Sequence, residues 1–168
     1  MKKILAVFVF LVLLVGCSLA NTPTSKVEEL LTKYQTLDKD IKTGIDEVID
    51  EETLTSKQKD RYRSLIEKQY KALTYQVKNE RIDGDRATIT TEIEVLDYKK
   101  AVNDAVSKYQ NRTDYTVEEY NNSKLDALEK IKDKVKYTID FEVIKDKNGN
   151  WKLSSLSNET IKKIQGMY

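Results

Sequence analysis

The chain has 168 residues, with 29 Lys and Arg against 28 Asp and Glu and a formal net charge of +1. This balance argues against nucleic acid as a partner, because phosphate binding calls for a basic surplus. Histidine is absent and Cys17 is the single cysteine, which excludes intrachain disulfides, thiolate zinc sites and iron–sulfur clusters. We expect no metal and no cofactor.

The first residues have the pattern of an export signal. Lys2 and Lys3 precede an unbroken apolar run at 4–15. A membrane-spanning helix needs roughly 20 apolar residues, so this run is too short, whereas a basic start, an apolar centre and a small residue before the cleavage point are typical of a secretory signal. We predict that residues 1–16 are a removable signal peptide. The alternative is an uncleaved N-terminal anchor with an incidental cysteine.

The stretch Leu14-Val15-Gly16-Cys17 is similar to the lipobox of bacterial lipoproteins. The resemblance implies cleavage between Gly16 and Cys17 and a diacylglyceryl group on the Cys17 thiol. Two acyl chains anchor a protein stably where one binds only marginally. We therefore expect a lipid anchor on the extracytoplasmic face of the cell membrane, a tether at 17–24 and a single domain at 25–168.

Apolar residues at helical spacing predict three helices before the first strand. Ser25-Lys-Val-Glu28 and Thr55-Ser-Lys-Gln58 each have the pattern of a capping box, which starts a helix. Between them an apolar stripe runs from Ile41 to Ile49. Thr116-Val-Glu-Glu119 predicts another cap later in the chain.

Two hairpins are predicted from alternating apolar and polar residues around the turns Asp83-Gly84-Asp85 and Asn148-Gly149. The polar positions, among them Glu92 and Glu94, indicate that one face of the sheet is wet. Together the elements predict an α+β fold. N-terminal helices pack on a curved antiparallel sheet of about four strands, extra helices lie between the hairpins, and a short last helix stops at Gly166.

The run Gly149-Asn150-Trp151-Lys152-Leu153 resembles the last strand of NTF2-like and cystatin-like domains, which often reads Gly-x-Trp-Lys-Leu. The resemblance implies helices around a curved sheet over roughly Ser25 to Gly166. Members of the NTF2-like fold include enzymes with an Asp base and a Tyr oxyanion donor, and many non-catalytic domains. No position of this chain matches their catalytic motif, so no catalytic residue is predicted.

The inward positions of the strands carry the residues that we expect to line any pocket: Tyr75, Ile89, Tyr137, Phe141 and Trp151. The same residue types suit a packed sheet core equally well. An acidic cluster at 46–52 lacks the spacing of a calcium-binding loop and is expected to be a solvated surface. Motifs of nucleophilic catalysis are absent from the sequence.

The sequence favours a non-enzymatic, membrane-tethered domain that binds a small apolar ligand or a protein. One alternative is an NTF2-like enzyme with a Tyr/carboxylate pocket, and another is a structural or assembly factor of the cell envelope. A buried carboxylate beside a tyrosine in an enclosed cavity would favour the enzyme. The polar sheet face at Thr90, Glu92 and Glu94 favours a monomer over a homodimer.

Overall fold

The computed structural model describes residues 21–168. The predicted signal peptide (1–16), its cleavage site at Gly16 and Cys17, and the lipid-bearing Cys17 lie outside the described residues. The part of the chain from 21 to 168 forms, in order, α1 (Pro23–Thr36), α2 (Lys39–Glu51), α3 (Ser56–Ala72), β1 (Thr74–Asp83), β2 (Arg86–Leu96), α4 (Tyr98–Ser107), α5 (Val117–Lys130), β3 (Lys134–Lys145), β4 (Trp151–Leu153) and α6 (Asn158–Ile164).

The four strands form one antiparallel sheet in the order β1-β2-β3-β4. Helices α1 and α3 pack on one face of the sheet, and α2 packs on α3. A shift of register between Val77 and Asn79 marks a β-bulge in the edge strand, and a bulge bends the strand that carries it. The predicted α+β class is confirmed, with α4 and α5 as the extra helices between the two hairpins.

Both predicted hairpin turns are present. Gly84 has φ +59° and Gly149 has φ +79°, a left-handed conformation that glycine adopts without steric cost. Arg86 pairs with Ile144 across β2 and β3, and Lys145 pairs with Trp151 across β3 and β4. Both turns therefore lie at the same end of the sheet, which we call the turn end.

Helix α3 begins as the sequence predicts. The Thr55 hydroxyl accepts a hydrogen bond from the Gln58 main-chain N–H, and the Gln58 side chain accepts one from Thr55. Thr116 and Glu119 form the same reciprocal box at α5. Each box satisfies main-chain donors that the helix leaves unpaired, so the two predicted starts are confirmed.

The predicted start of α1 at Ser25 is wrong. Thr22 is the N-cap and Pro23 is the first helical residue, so that Ser25 is the third helical residue and completes the box with Thr22. Proline suits this first position because its fixed φ matches the helix and its missing N–H would have no partner there. The helix therefore begins inside the stretch 17–24 that was predicted to be a tether.

The apolar side chains form two clusters. The main core lies between the sheet and α1–α3 and includes Leu31, Ile49 and Phe141. The second core joins α3, α4 and α5 through Leu65, Leu96, Tyr98, Ala101, Leu125 and Leu128. Helix α3 contributes to both cores, because its apolar residues point to two sides. A boundary between the cores therefore runs along α3.

The sheet face away from the helices is polar and wet, as predicted. Glu92 lies 3.1 Å from Lys136 and 3.5 Å from Lys78, and Glu94 lies 2.9 Å from Lys134. Hydrogen bonding to Lys136 holds the pKa of Glu92 below its usual value. Exposed pairs of this kind contribute little to stability, because water screens them. None of the helices in 21–168 is long and apolar enough to span a membrane.

Candidate ligand-binding cleft

A cleft of about 650 Å³ lies at the boundary between the two cores. Its walls come from α3, α4 and α5, from the residues that follow α2, and from the C-terminal residues after α6. Small-molecule sites in proteins occupy roughly 300–1,000 Å³ and are mostly apolar with a few polar groups. The size of the cleft therefore suits a small molecule.

Tyrosines from three elements form much of the wall. Tyr62 and Tyr70 come from α3, Tyr98 begins α4, Tyr120 lies on α5, and Tyr115 precedes α5. Tyr62 and Tyr70 lie on the same face of α3, because residues three, four, seven or eight positions apart share one side of a helix. The aliphatic part of the wall consists of Leu54, Ile66, Val102, Val117, Leu125, Leu128 and Met167.

The tyrosine side chains are held in place by specific contacts. The Tyr98 hydroxyl donates to the Leu65 carbonyl at 2.8 Å. The Tyr70 ring packs edge-to-face on Tyr34, with ring centroids 4.8 Å apart. Such aromatic pairs add about 0.5–1.5 kcal/mol beyond their buried area. These contacts hold Tyr70 and Tyr98 in fixed positions in the wall.

The phenol groups of Tyr62, Tyr70 and Tyr98 are neutral near pH 7. Burial raises the pKa of Tyr98, and it raises that of Tyr70 with a partial offset from hydrogen bonding to Gln165. Burial also raises the pKa of Tyr62, and the nearby Glu52 carboxylate raises it further. The wall therefore presents apolar rings and uncharged hydroxyls, which suits a ligand without a strong charge on its buried part.

A buried amide supports the floor of the cleft. The Gln69 side chain is 1 % exposed, donates to the Leu96 carbonyl at 2.9 Å and accepts from the Leu96 N–H at 3.0 Å. Gly166 packs against this pair with φ +67°, and a Cβ there would lie 2.1 Å from the Leu96 oxygen. The amide of Gln69 serves the main chain, so we assign it a structural role.

Charged side chains lie at the rim. Glu51 ends α2, Glu52 follows it and both are exposed, whereas Lys124 of α5 is half-buried. The Lys124 ammonium lies 4.6 Å from the Tyr120 ring centroid, a cation–π distance. Both carboxylates that line the cleft are thus in contact with water.

The five residues predicted to line a pocket lie elsewhere. Ile89, Phe141 and Trp151 are buried in the main core, and Tyr75 and Tyr137 are half-buried against it. None of them is among the described residues that line the cleft. Because α1 and α3 pack directly on the sheet, their side chains contact these strand residues.

The cleft is not among the sites predicted from the sequence, and four of its tyrosines lie on apolar helical stripes, where packing into a core is the ordinary role. The signal available in the sequence was the recurrence of tyrosine on three separate helical stripes, at Tyr62, Tyr70, Tyr98 and Tyr120. A phenol at the edge of a core keeps a polar group near water, so repeated tyrosines are consistent with an incompletely filled boundary.

No family model matches the chain, and no curated protein matches it. The chain is similar to a solved structure from Bacillus subtilis subsp. subtilis str. 168 that is described as a "putative lipoprotein (ycdA)". The two share 16% sequence identity with a TM-score of 0.43, over 83% of this chain and 46% of that chain. This chain thus spans about half the length of that protein.

The acidic cluster at 46–52 is a solvated surface. Asp46 lies 2.9 Å from Arg63 and is exposed. Within residues 21–168 no group of three or more Asp, Glu, His or Cys side chains is placed to hold a metal ion. The groups that the cleft offers to a ligand are therefore apolar side chains, tyrosine rings and tyrosine hydroxyls.

Proposed function

We propose that this protein is an extracytoplasmic lipoprotein whose domain binds a small, largely apolar molecule in the cleft and does not convert it chemically. The observation that carries the proposal is the cleft of about 650 Å³ with tyrosines from α3, α4 and α5 in its wall. The lipobox at Leu14-Val15-Gly16-Cys17 supports the lipid anchor on Cys17 and the location at the cell membrane.

The form of the cleft favours a small molecule over a protein surface. It is concave, and its buried wall residues include Ile66, Tyr98, Leu125 and Leu128. Ligand pockets of this kind bury most of the ligand surface and use few polar groups for orientation. The Tyr115 and Val117 side chains at the mouth are 38% and 70% exposed, so a bound molecule can also cover apolar surface there.

The rim indicates which end of a ligand is polar. Glu51, Glu52 and Lys124 can contact a polar or charged group that remains near water, while the rings inside contact the apolar body. We therefore propose an amphipathic ligand with an aromatic or aliphatic body. Where the body is aromatic, its contacts with the tyrosine rings are worth about 0.5–1.5 kcal/mol each.

The proposal of a non-enzymatic role rests on the position of the carboxylates. General acid–base catalysis in an NTF2-like pocket would need a carboxylate near the reacting atoms, with a pKa tuned by burial. Glu51 and Glu52 are exposed at the rim instead. The NTF2-like enzyme and the envelope assembly factor stay alternative predictions, and the assembly factor would place a segment of a partner protein in the same cleft.

Binding of a fluorescent apolar anion, 1-anilinonaphthalene-8-sulfonate, tests the proposal. We would titrate it into the mature chain carrying Cys17→Ser, which removes the lipid, and into the same chain with Val102→Trp, which fills the cleft from α4. Val106→Trp is the matched control, because Val106 lies on the same helix, is half-buried and is not a cleft residue.

We expect saturable binding by the parent chain and by Val106→Trp. Val102→Trp should bind about tenfold more weakly, a difference of about 1.4 kcal/mol, with unchanged circular dichroism. Equal affinity of the parent and Val102→Trp chains would contradict a site in the cleft.

A further inference from the structure

The first described residues are held against the turn end of the sheet. The Asn21 side chain donates to Asn150 at 3.0 Å and accepts from the Trp151 N–H at 2.9 Å. The main-chain N–H of Thr24 donates to the Glu80 carboxylate at 3.2 Å, and the Thr24 hydroxyl donates to the same oxygen. The chain therefore enters the domain beside both hairpins.

This entry point lies close to the proposed lipid. Cys17 precedes Asn21 by four residues, and an extended chain spans at most about 3.6 Å per residue, or about 14 Å in total. A lipid anchor on Cys17 holds that residue at the membrane surface. The turn end of the sheet must then remain within about that distance of the bilayer.

The turn end has the chemistry of a membrane-contacting surface. Arg81, Arg86 and Lys147 are exposed there, and in the described structure none of them has a carboxylate within salt-bridge distance. Ile82 and Ile144 at the same end are 52% and 41% exposed. Cations without an ion-pair partner can contact lipid headgroups, and apolar side chains near them can enter the boundary between headgroups and acyl chains.

The charges at this end of the sheet balance. Asp85 lies 3.4 Å from Lys145, and Asp146 lies 3.0 Å from Lys152. Asp83, Glu80 and Glu142 are exposed and have no basic partner among the residues that the structure describes. Three unpaired anions therefore stand against three unpaired cations, so the position of the turn end depends on the short chain to Cys17 and not on a net positive charge.

The cleft lies at the opposite end of the sheet. Strand β2 runs from Arg86 at the turn end to Leu96, ten residues later, which is about 34 Å at 3.4 Å per residue. Gln69 in the cleft floor bonds to Leu96, and Tyr98 in the cleft wall follows it by two residues. The length of the strand thus separates the cleft from the entry point of the chain.

We propose that the turn end of the sheet rests on the surface of the bilayer, where the short chain from Cys17 holds it, and that the cleft faces away from the bilayer. The inference rests on the proposed lipid anchor at Cys17. It adds a route to the proposed function, because the ligand then reaches the cleft from the aqueous side and not by lateral diffusion from the lipid.

The test uses the full mature lipidated chain in vesicles of phosphatidylcholine and phosphatidylglycerol that carry a nitroxide on the lipid headgroup. The Cys17 sulfur is occupied by lipid, so one introduced cysteine takes a fluorophore selectively. Asn148→Cys places it in the β3–β4 turn, and Lys132→Cys places it before β3 at the other end of the sheet; both positions are exposed. Quenching by the nitroxide reports proximity to the headgroups.

We expect several-fold stronger quenching at Asn148→Cys than at Lys132→Cys. Equal quenching at the two positions, or stronger quenching at Lys132→Cys, would overturn the orientation while leaving the anchor in place. Failure of the chain to sediment with the vesicles would overturn the lipid anchor itself, and the orientation with it.

Discussion

The side chain of Gln69 bonds to the main chain of Leu96 as a neighbouring strand would. One hydrogen bond runs in each direction, at 2.9 and 3.0 Å, and both residues are buried. The pair joins α3 to the end of β2 and supports the floor of the cleft. The amide side chain of Gln69 therefore helps to fix the cleft wall on α3 relative to the sheet.

Replacing this amide should be costly. Gln69→Leu leaves a buried N–H and a buried C=O of Leu96 without their partner, and each such group costs about 1–3 kcal/mol. We expect the free energy of unfolding in urea to fall by about 3 kcal/mol. Gln35→Leu is the control, because Gln35 makes a single bond to the Leu73 carbonyl at 2.9 Å from a half-buried position, and it should cost about 1 kcal/mol. Equal losses in the two variants would contradict the role assigned to Gln69.

Gly166 should resist substitution more than the other turn glycines. A Cβ at this position would lie 2.1 Å from the Leu96 oxygen and 2.3 Å from the Gln69 amide nitrogen, in addition to the strain of φ +67°. At Gly149 the φ is +79° but nothing lies within 4 Å of the added carbon. We expect Gly149→Ala to cost about 1 kcal/mol from backbone strain alone, and Gly166→Ala to cost at least twice as much. Similar urea midpoints for the two variants would show that the close approach is relieved without loss.

The protein should lose stability at alkaline pH through its buried tyrosines. Burial, with a contribution from Tyr70, raises the pKa of Tyr34 to about 12, above the value of about 10 in an unfolded chain. Folding therefore favours the protonated phenol, so this stability is fully present below pH 10 and is lost as the pH rises towards 12.

Tyr34→Phe tests this dependence, because it keeps the ring contact with Tyr70 and removes the ionisable group. We expect the melting temperature of the parent chain to fall more steeply between about pH 10 and 12 than that of the variant. Parallel curves for the two chains would contradict the contribution of Tyr34.

Local signals in the sequence were sufficient for most of the fold. The capping boxes at Thr55 and Thr116 and the glycines of the two hairpins predict element ends correctly, because each acts through contacts within a few residues. The predicted start of α1 at Ser25 is wrong because two nearby residues, Thr22 and Ser25, are both of a type that suits an N-cap. Pro23 favours Thr22, since proline fits the first position of a helix.

The cleft depends on packing between distant elements, which spacing along the chain does not describe. The tyrosine positions on α3, α4 and α5 follow from helical periodicity, but the gap between these helices depends on how α5 packs on α3 and how α4 packs on α5. The apolar pattern of the strand residues Ile89 and Phe141 is the same beside a cavity and under packed helices. In this protein helices cover both residues, so they belong to the main core.

The most direct test of the ligand site is to map bound 1-anilinonaphthalene-8-sulfonate by methyl NMR on the mature chain carrying Cys17→Ser. Leu125, Leu128 and Met167 report the cleft, and Ile89 and Val143 report the main core under the sheet. We predict saturable shifts of the first three methyl-bearing residues at a common dissociation constant, with the last two unchanged. Shifts at Ile89 and Val143, or small shifts spread over the whole surface, would contradict a binding site between α3, α4 and α5.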